Sequence, residues 1–523
     1  MKRSLTLLSL CLILAVISLA AELRKPKLVV AIVIDQFRYD YLTRFRADYK
    51  GGLDRMLREG AVFTNARYAQ SPTVTAVGHS IFLTGAMPAV SGIVANSWYD
   101  RESGKQITSV CDYSRKTVGA ETAAPGARCE DWDPASPKRL LVSTVGDELR
   151  NRDERSKVFG ISLKARSAIL PSGHRANGAF WFDDKSGTFI SSDFYFSELP
   201  LWVKEFNGRK LADQYVDTKW PGFDSWNFHV AAGSKRPYEK IPASPWGNEL
   251  IEKLAETAIV AEKLGQGDAT DLLTVSFSSN DYVGHQTGPD APEVREMCMR
   301  TDALLAKLFD VVAQKVGMEN AVFILSADHG VAPTVDTQEK RKMPGGTIDA
   351  DVEKIVRSAL VKKFGEGDLV LSFVDNSFYL DYKAIEQRKL DTTAIYRTAA
   401  DALMAEPKAH VARVYNRDQL ALGTAGDFIS SAVFNGFNQQ RSGDIFVIYE
   451  PYRVPSRKGA SHFTPYNYDT HVPVIFFGAG IKPGWRRENI QVNDIAPTLA
   501  ALMNVELPSG ASGRVLTQIL AEQ

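Results

Sequence analysis

The stretch Lys27-Leu-Val-Val-Ala-Ile-Val-Ile-Asp35 decides the fold. An unbroken apolar run rich in β-branched residues suits a strand covered on both faces, the pattern of parallel sheets. The run stops at a carboxylate, Asp35. Residues 158–163, 272–277, 322–325 and 474–477 repeat the pattern, and helical stretches, notably 250–264 and 294–316, lie between them. This alternation predicts an α/β fold: a mostly parallel central sheet flanked by helices. Ligands gather at the strand carboxyl ends of such sheets. Polar residues cluster there in Thr73-Val-Thr75-Ala-Val-Gly-His79, Ser279-Asn-Asp281-Tyr-Val-Gly-His285 and Ser326-Ala-Asp328-His329-Gly330. Tyr468-Asp469-Thr470-His471-Val472-Pro473 places another histidine just before an apolar run.

Two stretches break the alternation. Residues 172–245, rich in aromatics, Gly and Pro, read as an irregular cap-like insertion. Residues 349–450 read as a small α+β insertion, with helices over 352–364 and 392–404 and strands over 370–380 and 445–449. The core is then 21–348 and 451–523.

Residues 1–20 have the layout of a signal peptide: Lys2 and Arg3, an apolar run from Leu5 to Ile17, and small residues at Ser18 and Ala20. The run falls short of the roughly 20 residues that span a bilayer, so a periplasmic or secreted location is expected, without stable membrane association. Charge is balanced, 62 basic against 62 acidic residues, which argues against a nucleic-acid or membrane surface. In an oxidising compartment Cys111 and Cys129 are expected to pair, leaving Cys298 as a buried thiol.

The polar segments suit two metal ions. Asp281 and His285, four apart, share one face of a helical turn. His471 completes a three-ligand site; Asp35, Asp328 and His329 form another, with Thr75 at its open position. Asp328 and His329 can act together only where the chain bends, which Gly330 allows. Two divalent ions against three carboxylates leave a formal charge near +1, suited to a phosphoryl group.

In these motifs the chain resembles the alkaline phosphatase superfamily, and within it the PafA-type phosphatases that use threonine, from Asp35 to the Asn493-Asp494-Ile-Ala-Pro-Thr498 segment. The resemblance implies a two-zinc (Zn2+) site and hydrolysis of small-molecule phosphate monoesters through a phosphothreonine intermediate. Thr75 matches the nucleophile, and Asn96 the asparagine that holds a non-bridging oxygen. Asp281, His285 and His471 match the first zinc site; Asp35, Asp328, His329 and the Thr75 oxygen match the second. Lys164 and Arg166 match the Lys-x-Arg pair of the PafA-type enzymes. That pair follows a strand run, and in an extended chain residues i and i+2 share a face, so both cations are expected on the dianionic monoester group. His79 is expected to brace the Thr75 helix, and His462 is a candidate to line the site. Thr-Ala-Val-Gly-His after position 74 lacks the setting that sulfatases need. No third metal site is legible, and a monomer is expected. The competing readings are a nucleotide pyrophosphatase or phosphodiesterase on the same core, and a non-catalytic phosphate- or metal-binding protein.

Overall fold

The computed structural model describes residues 25–120 and 134–521, apart from 224, 225, 227, 232, 424 and 425. Residues 1–20, read above as a signal peptide, and Cys129 lie outside the described residues. Cys111 is buried and disulfide-bonded, and Cys298 is a buried free thiol.

A ten-stranded sheet forms the centre. Its spatial order is Gly484–Gln491, Ala61–Arg67, Val474–Gly478, Ala321–Ser326, Leu28–Ile34, Asp271–Phe277, Val158–Ser162, Gly178–Asp183, Thr188–Ser192 and Thr117–Val118. The strands from Ala321–Ser326 across to Gly178–Asp183 run parallel. Every residue of Leu28–Ile34, Asp271–Phe277 and Ala321–Ser326 is buried, as the unbroken apolar runs require. Register does the positioning. Val33 lies opposite both Ser326 and Ser276, so these strands finish level and the residues after them emerge at one edge.

Two expectations change. The 172–245 region is not wholly irregular, because Gly178–Asp183 and Thr188–Ser192 join the central sheet. The aromatic residues here are packing units in runs too short to show a period. The Phe180 ring lies 5.5 Å from Phe196 and 5.2 Å from Trp202. The single strand expected over 370–380 is a hairpin of Val370–Val374 and Ser377–Leu380. Its turn residues Asp375 and Asn376 adopt φ 47° and 61°, the left-handed pair that tight hairpins demand and that Asn and Asp tolerate. With Ile445–Tyr449 and Val411–Asn416 the hairpin makes a four-stranded antiparallel sheet. A separate apolar cluster there includes Val356, Leu360, Ile395 and Leu403 from the helices Val352–Phe364 and Thr392–Ala405.

One buried carboxylate ties two helices of the core together. Asp302, on the helix Pro292–Lys315, sits at the start of the helix Gly52–Glu59. Its Oδ2 accepts from the Lys50 and Gly51 amides at 2.8 and 2.7 Å, and its Oδ1 from Leu53 and Asp54 at 2.7 and 3.2 Å. Those of Gly51, Leu53 and Asp54 are amides that a helix start leaves without partners. Asp302→Ala should lower unfolding free energy by about 2–4 kcal/mol, read from urea denaturation. An unchanged midpoint would show that the cap is dispensable.

Candidate active site

The level strand ends deliver their side chains to one buried place. Asp35 follows Leu28–Ile34 and is fully buried. Gln36 turns into the left-handed region at φ 60°. Its backbone N–H donates to Asp328 Oδ1 at 3.0 Å, and its Nε2 donates to Asp281 Oδ1 at 2.7 Å. Gln36 therefore links the two carboxylates, a role that sequence reasoning missed and that no spacing announces.

Thr75 opens a wholly buried helix, Thr75–Thr84. This helix packs directly on the Asp328 backbone, because a Cβ at Gly78 would lie 2.2 Å from the Asp328 carbonyl oxygen. Thr75 Oγ1 comes to 3.5 Å from His329 Nε2. His79 braces the arrangement: its Nδ1 is 2.9 Å from the Thr75 carbonyl oxygen, and its Nε2 is 2.8 Å from Ser276 Oγ. Asn96 Oδ1 accepts the Ala76 amide at 2.8 Å, which fixes the carboxamide beside Thr75. That amide of the helix start is thus engaged by Asn96.

The imidazoles turn their lone pairs into the cluster. The Nδ1 atoms of His285, His329 and His462 lie 2.8, 2.9 and 2.8 Å from the carbonyl oxygens of Ala460, Gly330 and Thr73. A carbonyl only accepts, so each Nδ1 carries the proton and each Nε2 is left with a lone pair when neutral. His285 Nε2 and His462 Nε2 face each other at 3.2 Å. Such a contact needs positive charge, either a proton on His285, favoured by Asp281 Oδ1 at 3.1 Å, or a metal ion. His329 Nε2 faces Asp328 Oδ2 at 3.4 Å and Asp35 Oδ1 at 3.6 Å. Both of those carboxylate oxygens are buried without a hydrogen-bond partner.

The electrostatics agree. Burial, reinforced by Asp328, lifts the Asp35 carboxyl well above its ordinary range despite the attraction of Lys164. Burial would lift Asp281 too, but His285 and Lys164 outweigh it and hold that carboxyl well below its usual value. Asp328 is likewise held low, because His329 and His79 outweigh burial. Burial pushes His329 and His462 down, towards the neutral form in which a metal ligand acts. Two sets of side chains have donor atoms within 4.8 Å of one another: Asp281, His285 and His462, and Asp35, Asp281 and His329. Carboxylate oxygens and imidazole nitrogens are the donors that zinc and similar divalent ions take, and the orphaned oxygens of Asp35 and Asp328 fit that chemistry.

Two expectations about this cluster are corrected. His471 does not join it. Its Nε2 is 3.0 Å from the Thr64 carbonyl oxygen, and its ring stacks on Tyr39 at 4.3 Å. The cause is the backbone: residue 471 already pairs with Arg67 on the way into Val474–Gly478. His462 stands in the expected place instead. The readable sign was the run of small residues Gly459-Ala-Ser before it, since a Cβ at Gly459 would lie 2.1 Å from the His285 carbonyl oxygen. Second, Lys164 and Arg166 do not share the face of a strand. Lys164 is extended, but the chain turns into the helix Ala165–Ile169, which carries Arg166 in its first turn. Lys164 Nζ lies 2.6 Å from Asp35 Oδ2 and 2.7 Å from Asp281 Oδ2, a buried cation drawn to the carboxylates. The hairpin tip also reaches this region. Burial raises Asp375 to about 6, opposed by the Ser97 amide and the Arg166 guanidinium.

Comparison with known proteins places this geometry. Residues 29–462 match the family described as "Type I phosphodiesterase / nucleotide pyrophosphatase". The alkaline phosphatase PafA of Elizabethkingia meningoseptica is 37% identical over 526 residues, covering 95% of this chain and 95% of the relative. The alkaline phosphatase PhoV of Synechococcus elongatus is 37% identical over 524 residues, covering 95% and 93%. The crystal structure of wild-type alkaline phosphatase PafA superposes with a TM-score of 0.87 at 36% identity, covering 95% of this chain and 99% of that one.

The two histidines separate experimentally. His462→Ala should lower tightly bound divalent metal by about one equivalent and cut turnover at least about 100-fold, whereas His471→Ala should leave metal content unchanged. Elemental analysis of both purified variants checks this, and metal loss in the His471 variant alone would reverse the assignment.

Proposed function

We propose, for a chain that belongs to the type I phosphodiesterase/nucleotide pyrophosphatase family of the alkaline phosphatase superfamily, hydrolysis of phosphate monoesters through a phosphothreonine at a two-zinc site. The enzyme class is that of a phosphoric monoester hydrolase, given the extent of its likeness to PafA and PhoV. The observation that carries the finer reading is Thr75 Oγ1, which lies 3.5 Å from His329 Nε2 beside buried carboxylate oxygens that lack partners. Asp281, His285 and His462 would hold one ion; Asp35, Asp328, His329 and the Thr75 oxygen would hold the other. Bound ions would supply Lewis acidity towards phosphoryl oxygens and lower the pKa of coordinated hydroxyls.

The chain's own residues set the rest. The Thr75 hydroxyl loses its proton as its oxygen attacks phosphorus in line, a P–O bond to Thr75 forms, and the bond to the leaving oxygen breaks, that oxygen taking up a proton to depart as the alcohol. Water then attacks the phosphothreonine, releasing phosphate and restoring the hydroxyl. Asn96, held by the Ala76 amide, offers its carboxamide to a non-bridging oxygen. Arg166 supplies paired donors suited to a dianionic group. Lys164, buried and bound to Asp35 and Asp281, would offset their negative charge towards an incoming phosphoryl group. The positive charge suits the monoester, which carries one charge more than a diester. We place the enzyme outside the cytoplasm, in the periplasm or secreted, on the strength of residues 1–20. Among the described residues no helix is long and apolar enough to cross a membrane.

Matched aryl phosphate monoester and diester substrates test the reading. Thr75→Ala should reduce monoester kcat by at least about 1,000-fold while inorganic phosphate still binds in calorimetry. Lys164→Ala combined with Arg166→Ala should cost monoester kcat/KM about 100-fold or more and diester kcat/KM less than about 10-fold. Diesters as the better substrates, with monoester turnover left intact by the double change, would favour the phosphodiesterase reading.

A further inference from the structure

We infer that Asp469 is a positioning residue: it sets the geometry of the loop carrying His462 and registers that loop against the Thr75 and His329 segments. The inference rests on the two-metal reading above and assigns Asp469 no contact with substrate.

Asp469 is fully buried. A single oxygen, Oδ2, accepts from the Phe463 amide at 3.1 Å, the Thr464 amide at 2.9 Å and Thr464 Oγ1 at 2.7 Å. Phe463, directly after His462, has φ 141°, a backbone conformation that a bulky residue adopts only under restraint. The pair of amides gathered on Asp469 is that restraint. The loop is fastened a second time: Thr73 Oγ1 donates to the Thr464 carbonyl oxygen at 2.9 Å, while His462 Nδ1 lies 2.8 Å from the Thr73 carbonyl oxygen. Thr73 stands two residues before Thr75. On the other side, the Asp469 carbonyl oxygen accepts the Gly330 amide at 2.7 Å, immediately after His329. Asp469 thus bonds directly to the His462 loop and to the His329 turn, and is linked to the Thr73 segment through Thr464.

Groups that hold a ligand in place typically alter metal affinity 10- to 100-fold. Because Oδ2 makes all three contacts and Oδ1 has no hydrogen-bond partner, an amide oxygen can replace the carboxylate. The expectation therefore differs for two variants of the full-length chain stripped of metal. Asp469→Ala should weaken one of two zinc-binding events at least about 10-fold in competition with a chromophoric chelator, leaving the other unchanged. Asp469→Asn should stay within about threefold of wild type. Amide hydrogen exchange at Phe463 and Thr464, measured without metal, should accelerate at least about 10-fold in the alanine variant and not in the asparagine variant. Should the alanine variant fail to fold, Thr464→Val removes one of the three contacts and should weaken the same zinc event about threefold. Unchanged zinc binding with unchanged exchange would overturn the inference. A wild-type protein that takes up fewer than two zinc ions would sink the two-metal reading instead, and the exchange rates would then decide whether Asp469 holds the loop.

Discussion

Electron-pair donors crowd one end of the central sheet, and the fold can bury them only with positive charge among them. The buried carboxylates of Asp35, Asp281 and Asp328 lie beside the Nε2 atoms of the buried His329 and His462 and of the partly exposed His285. Removing even one uncompensated carboxylate from water costs several kcal/mol. Lys164 supplies part of the missing charge through its contacts with Asp35 and Asp281. The remaining oxygen and nitrogen donors are of the kind that divalent ions take.

The surrounding scaffold converts that demand into geometry. Strands in register bring Asp35, Asp281 and Asp328 to one edge; Gln36 spans two of them; Gly78 lets the Thr75 helix sit on the Asp328 backbone. None of these supports reacts with a substrate. They hold Thr75 Oγ1 3.5 Å from His329 Nε2, beside the buried carboxylates. The insertion comes close as well: the charge of Arg166 in the core opposes the rise that burial gives Asp375 at its hairpin tip.

Much of this was legible in the chain. The buried strands betrayed themselves by unbroken apolar runs, and Asp35, Asp281, His285, Asp328 and His329 by lying just beyond them. His462 was harder. Its ring is brought in by a loop rather than a strand end, so neither period nor spacing marks it, and His471 offered a more conventional context nine residues later. The strands Gly178–Asp183 and Thr188–Ser192 were hidden for a different reason, since short aromatic-rich runs between glycines look alike in strands and loops. Lys164 and Arg166 were identified as a pair, but the helix beginning at Ala165 changes their relation. A local turn of this kind follows from tertiary packing and leaves little trace in composition.

The strand Ala61–Arg67 sits apart from its sequence neighbours. Among the described residues its ladder partners are Val474–Gly478 and Gly484–Gln491, and Thr64 is hydrogen-bonded to Arg486, 422 positions away. An emerging polypeptide consequently cannot finish this half of the sheet until nearly its whole length has been synthesised. Until then Ala321–Ser326 remains an open edge, a template for faulty association. Pairings this distant in sequence carry a large loop-closure cost, so this half of the sheet is the part whose assembly depends most on the chain's two ends meeting.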